Sequence, residues 1–313
     1  MSHVPVMLNE VLQTLAPRDG EVYVDGTFGA GGYTKAFLDR ANCTVIAIDR
    51  DPSAVSRADI LRREYGERLI FVEECFGNAL ELVQAAGFEQ VDGFVLDVGV
   101  SSMQIDDPAR GFSFRFDGPL DMRMDTAQSL TAEEIVNTYR EEDLANLIYK
   151  YGDERFSRRI ARKISEVRQQ MPIETTLQLA EIVRSVLPHS PKDKSDPATR
   201  TFQALRIAVN DELGELERAL SAAEKLLKTG GRLAVVSFHS LEDGLVKTFL
   251  YERSGRMAGA SRHLPAADVS SAPSFVLSPR KPIEPSANEI STNPRARSAK
   301  LRVAIRVDES EGI

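Results

Sequence analysis

The sequence of 313 residues has few of the side chains that hold small proteins together covalently or through metal ions. It contains two cysteines, Cys43 and Cys75, and no Cys-x-x-Cys pair, which excludes a disulfide framework and a structural zinc site of the usual type. The four histidines are far apart, at His3, His189, His239 and His263. Because this spacing fits no common set of metal ligands, we expect no metal held by the protein.

Long apolar runs are also missing. No window of about 18 uninterrupted apolar residues occurs, which argues against a membrane-spanning helix. The N-terminal residues 1–10 lack a basic stretch followed by an apolar one, so they do not match a secretory signal. These two absences predict a cytoplasmic protein that has no membrane partner.

The overall charge is acidic, with 39 Lys and Arg against 47 Asp and Glu and a net charge of −8. This average argues against a protein that binds polyanions over its whole surface. However, residues 253–306 carry ten basic and three acidic side chains, a local charge of +7, which leaves −15 on the rest of the chain. Phosphate contacts are the natural use of such a basic segment.

Strand and helix patterns alternate between residues 20 and 97. Four short β-branched runs are the candidate strands, at 22–25, 45–49, 69–72 and 93–97. The segments between them have helical spacing, for example over 52–65. This alternation predicts an α/β fold with a mostly parallel, doubly wound sheet, which is the Rossmann-like class.

Three of the four candidate strands end in an aspartate, namely Asp25, Asp49 and Asp97. In a doubly wound sheet, ligands bind at the carboxyl ends of the strands near the point where the strand order reverses. We therefore place these aspartates in the candidate site. A charged residue that merely ends a buried strand would explain any one of them, but it explains three together less well.

The next strong strand pattern, 232–238, begins 135 residues after Asp97, whereas a crossover between parallel strands needs a few tens of residues. Helical patterns fill the gap, beginning at the capping signature 131–134 and continuing over 142–151, 153–171 and 176–187. We predict a discontinuous α/β main domain of residues 1–105 plus 201–313, interrupted by a helical domain of residues 106–200.

Two further elements are predicted in the main domain. A long amphipathic helix over 199–228, ended by Gly230 and Gly231, returns the chain to the sheet. Near the C-terminus, the alternating run 301–307 predicts a strand at the edge of the sheet.

A glycine-rich loop over residues 26–32 connects the first candidate strand to a helix. Glycines let the backbone approach a ligand closely, and the helix start offers free amides. The dinucleotide pattern Gly-x-Gly-x-x-Gly fails because Thr34 occupies its last position, and the phosphate-binding Gly-Lys-Ser/Thr pattern is absent. A tight structural turn is the alternative for the glycines alone. Asp49 favours a nucleotide-type site, because its carboxylate can accept both ribose hydroxyls and suits a cationic sulfonium better than phosphates.

Eight segments in chain order carry a resemblance to a known family: Asp25–Gly32, Ala47–Pro52, Asp97–Ser102, Arg110–Phe114, Gly118–Asp125, Pro197–Gln203, Ser237–Asp243 and Asn293–Ser298. Together they resemble the ribosomal RNA small subunit methyltransferase H family over nearly the whole chain. Members of that family transfer a methyl group from S-adenosyl-L-methionine to N4 of a cytidine in the decoding region of small-subunit (16S) ribosomal RNA. The resemblance implies a Rossmann-like methyltransferase domain with a helical insert and, as partner, small-subunit ribosomal RNA or a ribosomal particle. It does not decide between a monomer and a homodimer.

The same resemblance implies which residues hold the methyl donor. They are Gly31, Gly32 and Tyr33 in the loop, Asp49 at the ribose, Phe76 near the adenine, and Asp97 and Gln104. Many members have His at position 33, so a backbone contact is the role expected of Tyr33. Simple core packing explains Phe76 equally well on the sequence alone.

Cytosine N4 is a poor nucleophile because its lone pair is delocalised into the ring, whereas the sulfonium methyl group is already activated. The enzyme must therefore mainly position the amine and accept its hydrogen bonds. Asp97 is the candidate catalytic group, with Ser101 as a candidate substrate contact, although the prolines that commonly follow this aspartate in amino methyltransferases are absent. Methylation at C5 would need a cysteine nucleophile, and a small buried thiol explains Cys75 better.

Contacts to RNA are predicted at two places. His239 follows a strand at the same edge as Asp97, where a wall facing the substrate and a histidine satisfied by loop hydrogen bonds are equally good explanations. A hydrolase is not indicated there because the Gly-x-Ser-x-Gly pattern is absent. In the basic segment, Arg295 and Arg297 are the expected phosphate contacts. Two other functions stay open: a methyltransferase acting on another base, on DNA or on a small molecule, and a non-catalytic RNA-binding assembly protein.

Overall fold

The computed structural model describes residues 5–187, 195–255 and 272–308. The chain divides into two compact units, Met1–Gly99 with Leu213–Ile313, and Val100–Glu212. The second unit is thus inserted in the sequence of the first. None of the described helices is long and apolar enough to cross a membrane.

Seven strands are found in the described part of the chain: β1 (Val22–Asp25), β2 (Thr44–Asp49), β3 (Leu69–Glu73), β4 (Val91–Asp97), β5 (Leu227–Ser237), β6 (Phe275–Leu277) and β7 (Lys300–Arg306). They form one sheet of order β3-β2-β1-β4-β5-β7-β6. The first five strands run parallel, and β7 is antiparallel to both β5 and β6. The predicted α/β fold with a mostly parallel sheet is confirmed.

Thirteen α-helices are described: α1 (Leu8–Leu15), α2 (Gly32–Arg40), α3 (Ser53–Tyr65), α4 (Ala79–Ala85), α5 (Ser102–Asp106), α6 (Ala132–Thr138), α7 (Glu141–Gly152), α8 (Ser157–Arg168), α9 (Thr176–Val186), α10 (Thr199–Asn210), α11 (Glu212–Leu226), α12 (Ser240–Arg253) and α13 (Ala287–Thr292). Helices α5 to α10 belong to the second unit and the others to the first, apart from the first residue of α11.

The central strands are buried on both faces, which explains their continuous apolar runs. Successive side chains of a strand point to opposite faces, so alternate residues enter different cores. Val24 belongs to one hydrophobic cluster together with Ile46 and Leu96. Tyr23 belongs to a second cluster together with Val45. The sheet is therefore a rigid platform whose strand ends hold the loops of the site.

The order of the strands reverses between β1 and β4. Chain connections run outward from β1 through β2 to β3, and then return to β4 on the other side of β1. The carboxyl ends of the adjacent strands β2, β1 and β4 carry Asp49, Asp25 and Asp97. This is the crevice in which doubly wound sheets bind their ligands.

The prediction of one long helix over 199–228 is wrong, because α10 ends at Asn210 and α11 begins at Glu212. Between them Asp211 adopts a left-handed conformation with φ of 47°, which interrupts the helical path. Helix α10 packs against α7 within the second unit.

The placement of residues 301–307 at the sheet edge is also wrong, because β7 lies between β5 and β6. The alternating pattern was misleading at Arg302, which is only 6% exposed. Its Nε lies 2.7 Å from Oδ1 of Asp243, so an ion pair allows this charge on a covered strand.

The second unit is helical, with a hydrophobic core of its own. The helices predicted over 142–151 and 176–187 are α7 and α9. Thr131 caps α6 as predicted, since its hydroxyl accepts a hydrogen bond from the amide of Glu134 at 3.1 Å.

Candidate active site

The loop after β1 is tied to the strands on both sides of it. The amide of Gly26 donates to the carbonyl of Val95, and the amide of Phe28 donates to the carbonyl of Ile48, each at 3.0 Å. Nε of Arg57 donates to the carbonyl of Gly29 at 2.8 Å. The loop is therefore fixed over the ends of β1, β2 and β4.

Two of the loop glycines are required by close packing. Gly31 has a left-handed φ of 77°, and a Cβ there would lie 2.9 Å from the ring of Phe28. A Cβ at Gly32 would lie 2.1 Å from Cγ of Pro5. Packing alone therefore accounts for glycine at both positions. What supports their predicted role in donor binding is the position of the loop at the carboxyl ends of the strands.

The side chain of Tyr33 is used in the core. It is 3% exposed, and its hydroxyl donates to the carbonyl of Val6. Burial raises the pKa of this phenol well above its ordinary value, and Asp97 and Asp25 add to the effect. A donor contact at this position would have to come from the backbone, as the sequence predicted.

Asp25 and Asp49 both bind the loop. Oδ1 of the fully buried Asp25 accepts from the loop amide of Thr27 at 3.2 Å, and its Oδ2 accepts from the hydroxyl of Thr34 on α2 at 2.7 Å. Burial raises the pKa of this carboxyl to about 6. Oδ2 of Asp49 accepts from the amide of Gly29 at 2.6 Å, and its Oδ1 accepts from the amide of Asp51 at 2.8 Å. Burial raises the pKa of Asp49 as well. Each Asp49 oxygen keeps a further lone pair with which it can accept a hydroxyl.

Phe76 begins a short 3₁₀ turn after β3, half-buried against the first hydrophobic cluster. A Cβ at Gly26 would lie 3.4 Å from Cβ of Phe76, so the aromatic residue lies beside the glycine loop. The turn is held by Glu215, which is 8% exposed and whose Oε2 accepts from the amide of Gly77 at 2.8 Å. Sequence reasoning missed Glu215 because the two partners lie 138 residues apart.

Asp97 has an unsatisfied oxygen at the crevice. Its amide donates to Oγ1 of Thr27 at 2.7 Å, which fixes the end of β4 to the glycine loop. Its Oδ1 is buried and receives no hydrogen bond from the described residues. Burial raises the pKa of Asp97 to about 8, with further contributions from Asp25, Glu242 and Glu289. A buried acceptor without a donor is costly, so this oxygen is suited to receive a donor from a ligand.

His239 and Glu242 form a reciprocal cap at the start of α12. Nδ1 of His239 accepts from the amide of Glu242 at 3.4 Å. Oε2 of Glu242 accepts from the amides of Phe238 at 2.8 Å and His239 at 3.2 Å. Oε1 of Glu242 lies 2.8 Å from Nε2 of His239, but the two atoms are not aligned for a hydrogen bond. Local hydrogen bonding therefore accounts for Nδ1 of His239. Its Nε2 has no aligned partner among the described residues.

Glu242 is a second residue that sequence reasoning missed. It is 1% exposed and lies three residues after the cap residue His239. A glutamate at this position is one half of the capping-box signature. That signal was overlooked because the cap residue here is His rather than Ser or Thr.

Ser101 and Gln104 are brought together in the second unit. The hydroxyl of Ser101 accepts from the amide of Gln104 at 3.2 Å, and Oε1 of Gln104 accepts from the amide of Ser101 at 2.9 Å. This capping box begins α5 and buries Gln104 to 7% exposure. Both side chains thus have a local structural role, and their predicted ligand contacts stay predictions.

Arg295 and Arg297 are exposed in a 3₁₀ turn that follows α13. The other basic residues of segment 253–306 are in mixed situations. Arg256 and Arg262 lie outside the described residues. Four bind within the first unit: Arg253 to Glu224, Lys300 and Arg302 to Asp243, and Arg306 to backbone carbonyls. Much of the positive charge of the segment therefore stabilises the fold. The expected phosphate contacts are narrowed to its exposed residues, among them Arg295 and Arg297.

The chain is similar to members of one family along almost its full length. The sequence model of the MraW methylase family matches residues 1–307. The protein named ribosomal RNA small subunit methyltransferase H from Paramagnetospirillum magneticum is 58% identical over 97% of this chain and 95% of its own length. The protein of the same name from Rhodospirillum centenum is 60% identical over 97% of this chain and 92% of its own length. A solved rRNA methylase from Streptococcus thermophilus aligns over 98% of this chain and 99% of its own, with 10% identity and a TM-score of 0.44.

Proposed function

This chain belongs to the MraW methylase family, and from that premise we propose that it transfers a methyl group from S-adenosyl-L-methionine to N4 of a specific cytidine in the decoding region of small-subunit ribosomal RNA. The names of relatives at 58% and 60% identity support small-subunit ribosomal RNA as the substrate. The observation that carries the proposal is the buried Oδ1 of Asp97, which lacks a donor among the described residues.

The residues at the crevice fit the methyl donor. Backbone atoms of Gly31, Gly32 and Tyr33 would hold it at the loop, Asp49 would accept its ribose hydroxyls, and Phe76 would lie near its adenine. When bound, S-adenosyl-L-methionine supplies a methyl group activated by a positively charged sulfonium. The raised pKa values of Asp25 and Asp97 indicate clustered carboxyls in a poorly solvated place, where a cation is favourable. Gln104 is also proposed to contact the donor.

Asp97 is proposed as the catalytic group. Oδ1 of its carboxylate accepts a hydrogen bond from N4–H, which orients the amine and increases electron density on N4. Transfer would form the bond between N4 and the methyl carbon and break the carbon–sulfur bond of the donor, with S-adenosylhomocysteine as the leaving group. N4 must then lose one proton, and the same oxygen accepts that proton. The carboxyl, with its pKa raised to about 8, is basic enough to hold the proton before releasing it to solvent.

The remaining predictions are kept as proposals. The target cytidine must leave its stack to reach the crevice, which is easier in single-stranded or partly assembled ribosomal RNA. Residues 106–200 form the inserted helical domain, Ser101 contacts the substrate, and the protein acts in the cytoplasm on ribosomal RNA or ribosomal particles.

Tritiated-methyl transfer to small-subunit RNA and to small-subunit particles, followed by nucleoside analysis, tests the proposal. N4-methylcytidine is the expected product. Another methylated nucleoside would instead support a methyltransferase with a different target base. Absence of any product, with donor binding intact in an equilibrium titration, would support a non-catalytic RNA-binding assembly protein.

A further inference from the structure

The first unit contains a cavity of about 360 Å³ that is separate from the proposed donor site. It lies between the end of β5, the start of α12 and the C-terminal segment. Its principal walls are Phe238, His239, Ser240, Pro285, Ile290 and Arg297. None of the residues proposed to hold the methyl donor lines it.

The cavity is placed next to the proposed reacting centre. Asp97 on β4 is paired in register with Val236 on β5, so Ser237 and Phe238 leave the sheet at the same carboxyl edge. Neighbouring strands lie about 4.8 Å apart. A nucleotide chain whose cytidine reaches Asp97 would therefore pass close to the mouth of the cavity.

The lining combines apolar surfaces with polar groups. Phe238 and Ile290 are half-buried and Pro285 is buried, and they provide apolar surface on which a base can lie. The polar part includes Ser240 and His239. A groove for a protein helix would be mainly hydrophobic, whereas this lining is mixed. Its apolar part suits a nucleotide base, and its polar part suits the sugar and phosphate.

The charged side chains of the lining include one exposed arginine. Arg297 is exposed and has no ion pair with any described residue. Asp243 in the wall is bound by both Lys300 and Arg302, at 3.2 Å and 2.7 Å, so two cations face one carboxylate. Glu284 is the other acid of the lining. The lining therefore carries two cations and two acids, and because Lys300 is paired with Asp243, Arg297 is the cation that can bind one phosphate.

We propose that this cavity binds one unstacked nucleotide next to the target cytidine in single-stranded RNA. Its base lies against Phe238, Pro285 and Ile290, and its phosphate is bound by Arg297. The inference rests on the proposed function for the identity of the neighbouring cytidine. It adds a second subsite, which would fix the register of the RNA before transfer.

The test measures binding of short RNAs to the full-length protein saturated with S-adenosylhomocysteine. The reference RNA has one central cytidine flanked by uridines, and two further RNAs lack the base of the 5′ or the 3′ neighbour. We expect one of these abasic RNAs to bind the unaltered protein roughly tenfold more weakly, as for loss of a stacked base. Phe238→Leu, which keeps an apolar side chain without the ring, should bind the reference and abasic RNAs nearly equally.

Charge is tested separately. Arg297→Ala should weaken binding of all three RNAs and reduce the slope of log affinity against log salt by about 1. Arg63→Ala removes an exposed arginine of α3 that is outside both sites and should match the unaltered protein. The subsite is wrong if neither abasic RNA binds more weakly, if Phe238→Leu keeps the abasic penalty, or if the protein does not bind the RNAs. If this binding pattern is found but nucleoside analysis detects no N4-methylcytidine, the proposed function fails and the subsite stands.

Discussion

The amide of Asp97 donates a hydrogen bond of 2.7 Å to Oγ1 of Thr27. This contact joins the end of β4 to the glycine loop that follows β1, across the point where the strand order reverses. It therefore fixes the candidate catalytic carboxyl relative to the loop that would hold the methyl donor. Thr27 is not among the residues proposed to bind the methyl donor or the substrate. Its expected role is therefore to position Asp97.

Replacement of Thr27 tests this positioning role. Thr27→Val keeps the shape of the side chain but leaves the amide of Asp97 without its acceptor, at a cost of about 1 to 3 kcal/mol. We expect a lower kcat and a raised KM for the donor. Thr27→Ser retains the hydroxyl and should recover most of the activity. Steady-state kinetics of the two variants measure the difference, and equal rates for both would show that the hydrogen bond is unimportant.

Asp97 should make the free protein less stable as pH rises. Its folded pKa of about 8 is above the unfolded value near 4, so the folded state binds the extra proton between these values. The stabilisation is complete below about pH 4 and is lost as pH rises through about 8. Asp97→Asn removes this dependence. We expect it to abolish methyl transfer. We also expect the unfolding free energy of the variant, measured relative to that of the unaltered protein, to be a few kcal/mol more favourable at pH 8 than at pH 5.

Thermal unfolding from pH 5 to pH 9 measures this effect. Asp59→Asn is the matched control, because Asp59 is exposed on α3 and away from the site. The control should follow the unaltered protein at every pH. An Asp97→Asn curve parallel to that of the unaltered protein would contradict the raised pKa, and near-normal single-turnover transfer by this variant would contradict the catalytic role.

Donor binding should release protons through the same carboxyl. A cationic ligand beside Asp97 favours its ionised form and lowers its pKa. Near pH 7 the free protein holds Asp97 mostly protonated, so binding of S-adenosyl-L-methionine should expel part of a proton and strengthen as pH rises towards 8. Calorimetric titrations in buffers of different ionisation enthalpy count the protons. Asp97→Asn should release fewer, and an equal count would place the proton on another group.

The main features of the sheet were predictable because they depend on local patterns. The four β-branched runs correspond to β1, β2, β3 and β4 within two residues at each end. Three terminal aspartates follow directly from those ends. The family predicted from eight motifs is confirmed, since the family match spans residues 1–307.

The parts that could not be predicted depend on contacts between distant residues. Thr27 meets Asp97 across 70 residues, and Glu215 meets Gly77 across 138. The break at Asp211 is a left-handed turn without glycine, for which composition provides no signal. The ion pair that allows Arg302 to be buried is not visible in the sequence, because its partner Asp243 lies 59 residues earlier. The alternating pattern therefore suggested an exposed edge residue.

Glu215 should support the donor site through the turn at Phe76. Glu215→Ala leaves the amide of Gly77 buried without an acceptor, which should cost about 1 to 3 kcal/mol in unfolding free energy. The loosened turn should also weaken donor binding. Glu217→Ala is a close control, because Glu217 is exposed on the same helix two residues later. Chemical denaturation and donor titration of both variants separate the two effects, and unchanged donor binding in Glu215→Ala would remove Phe76 from the site.

Glu242 should tune the pH dependence of transfer through its charge. It is the largest contributor after burial and Asp25 to the raised pKa of Asp97, and Glu289 contributes less. Glu242→Gln keeps an oxygen that can accept the amides of Phe238 and His239 but removes the negative charge. Asp97 then ionises at lower pH, so the acidic limb of the pH profile of kcat should move towards lower pH.

Glu289→Gln should move this limb in the same direction but by less. Rates for both variants from pH 5 to pH 9 decide the matter, because a merely structural role of Glu242 would lower kcat at every pH without moving the limb.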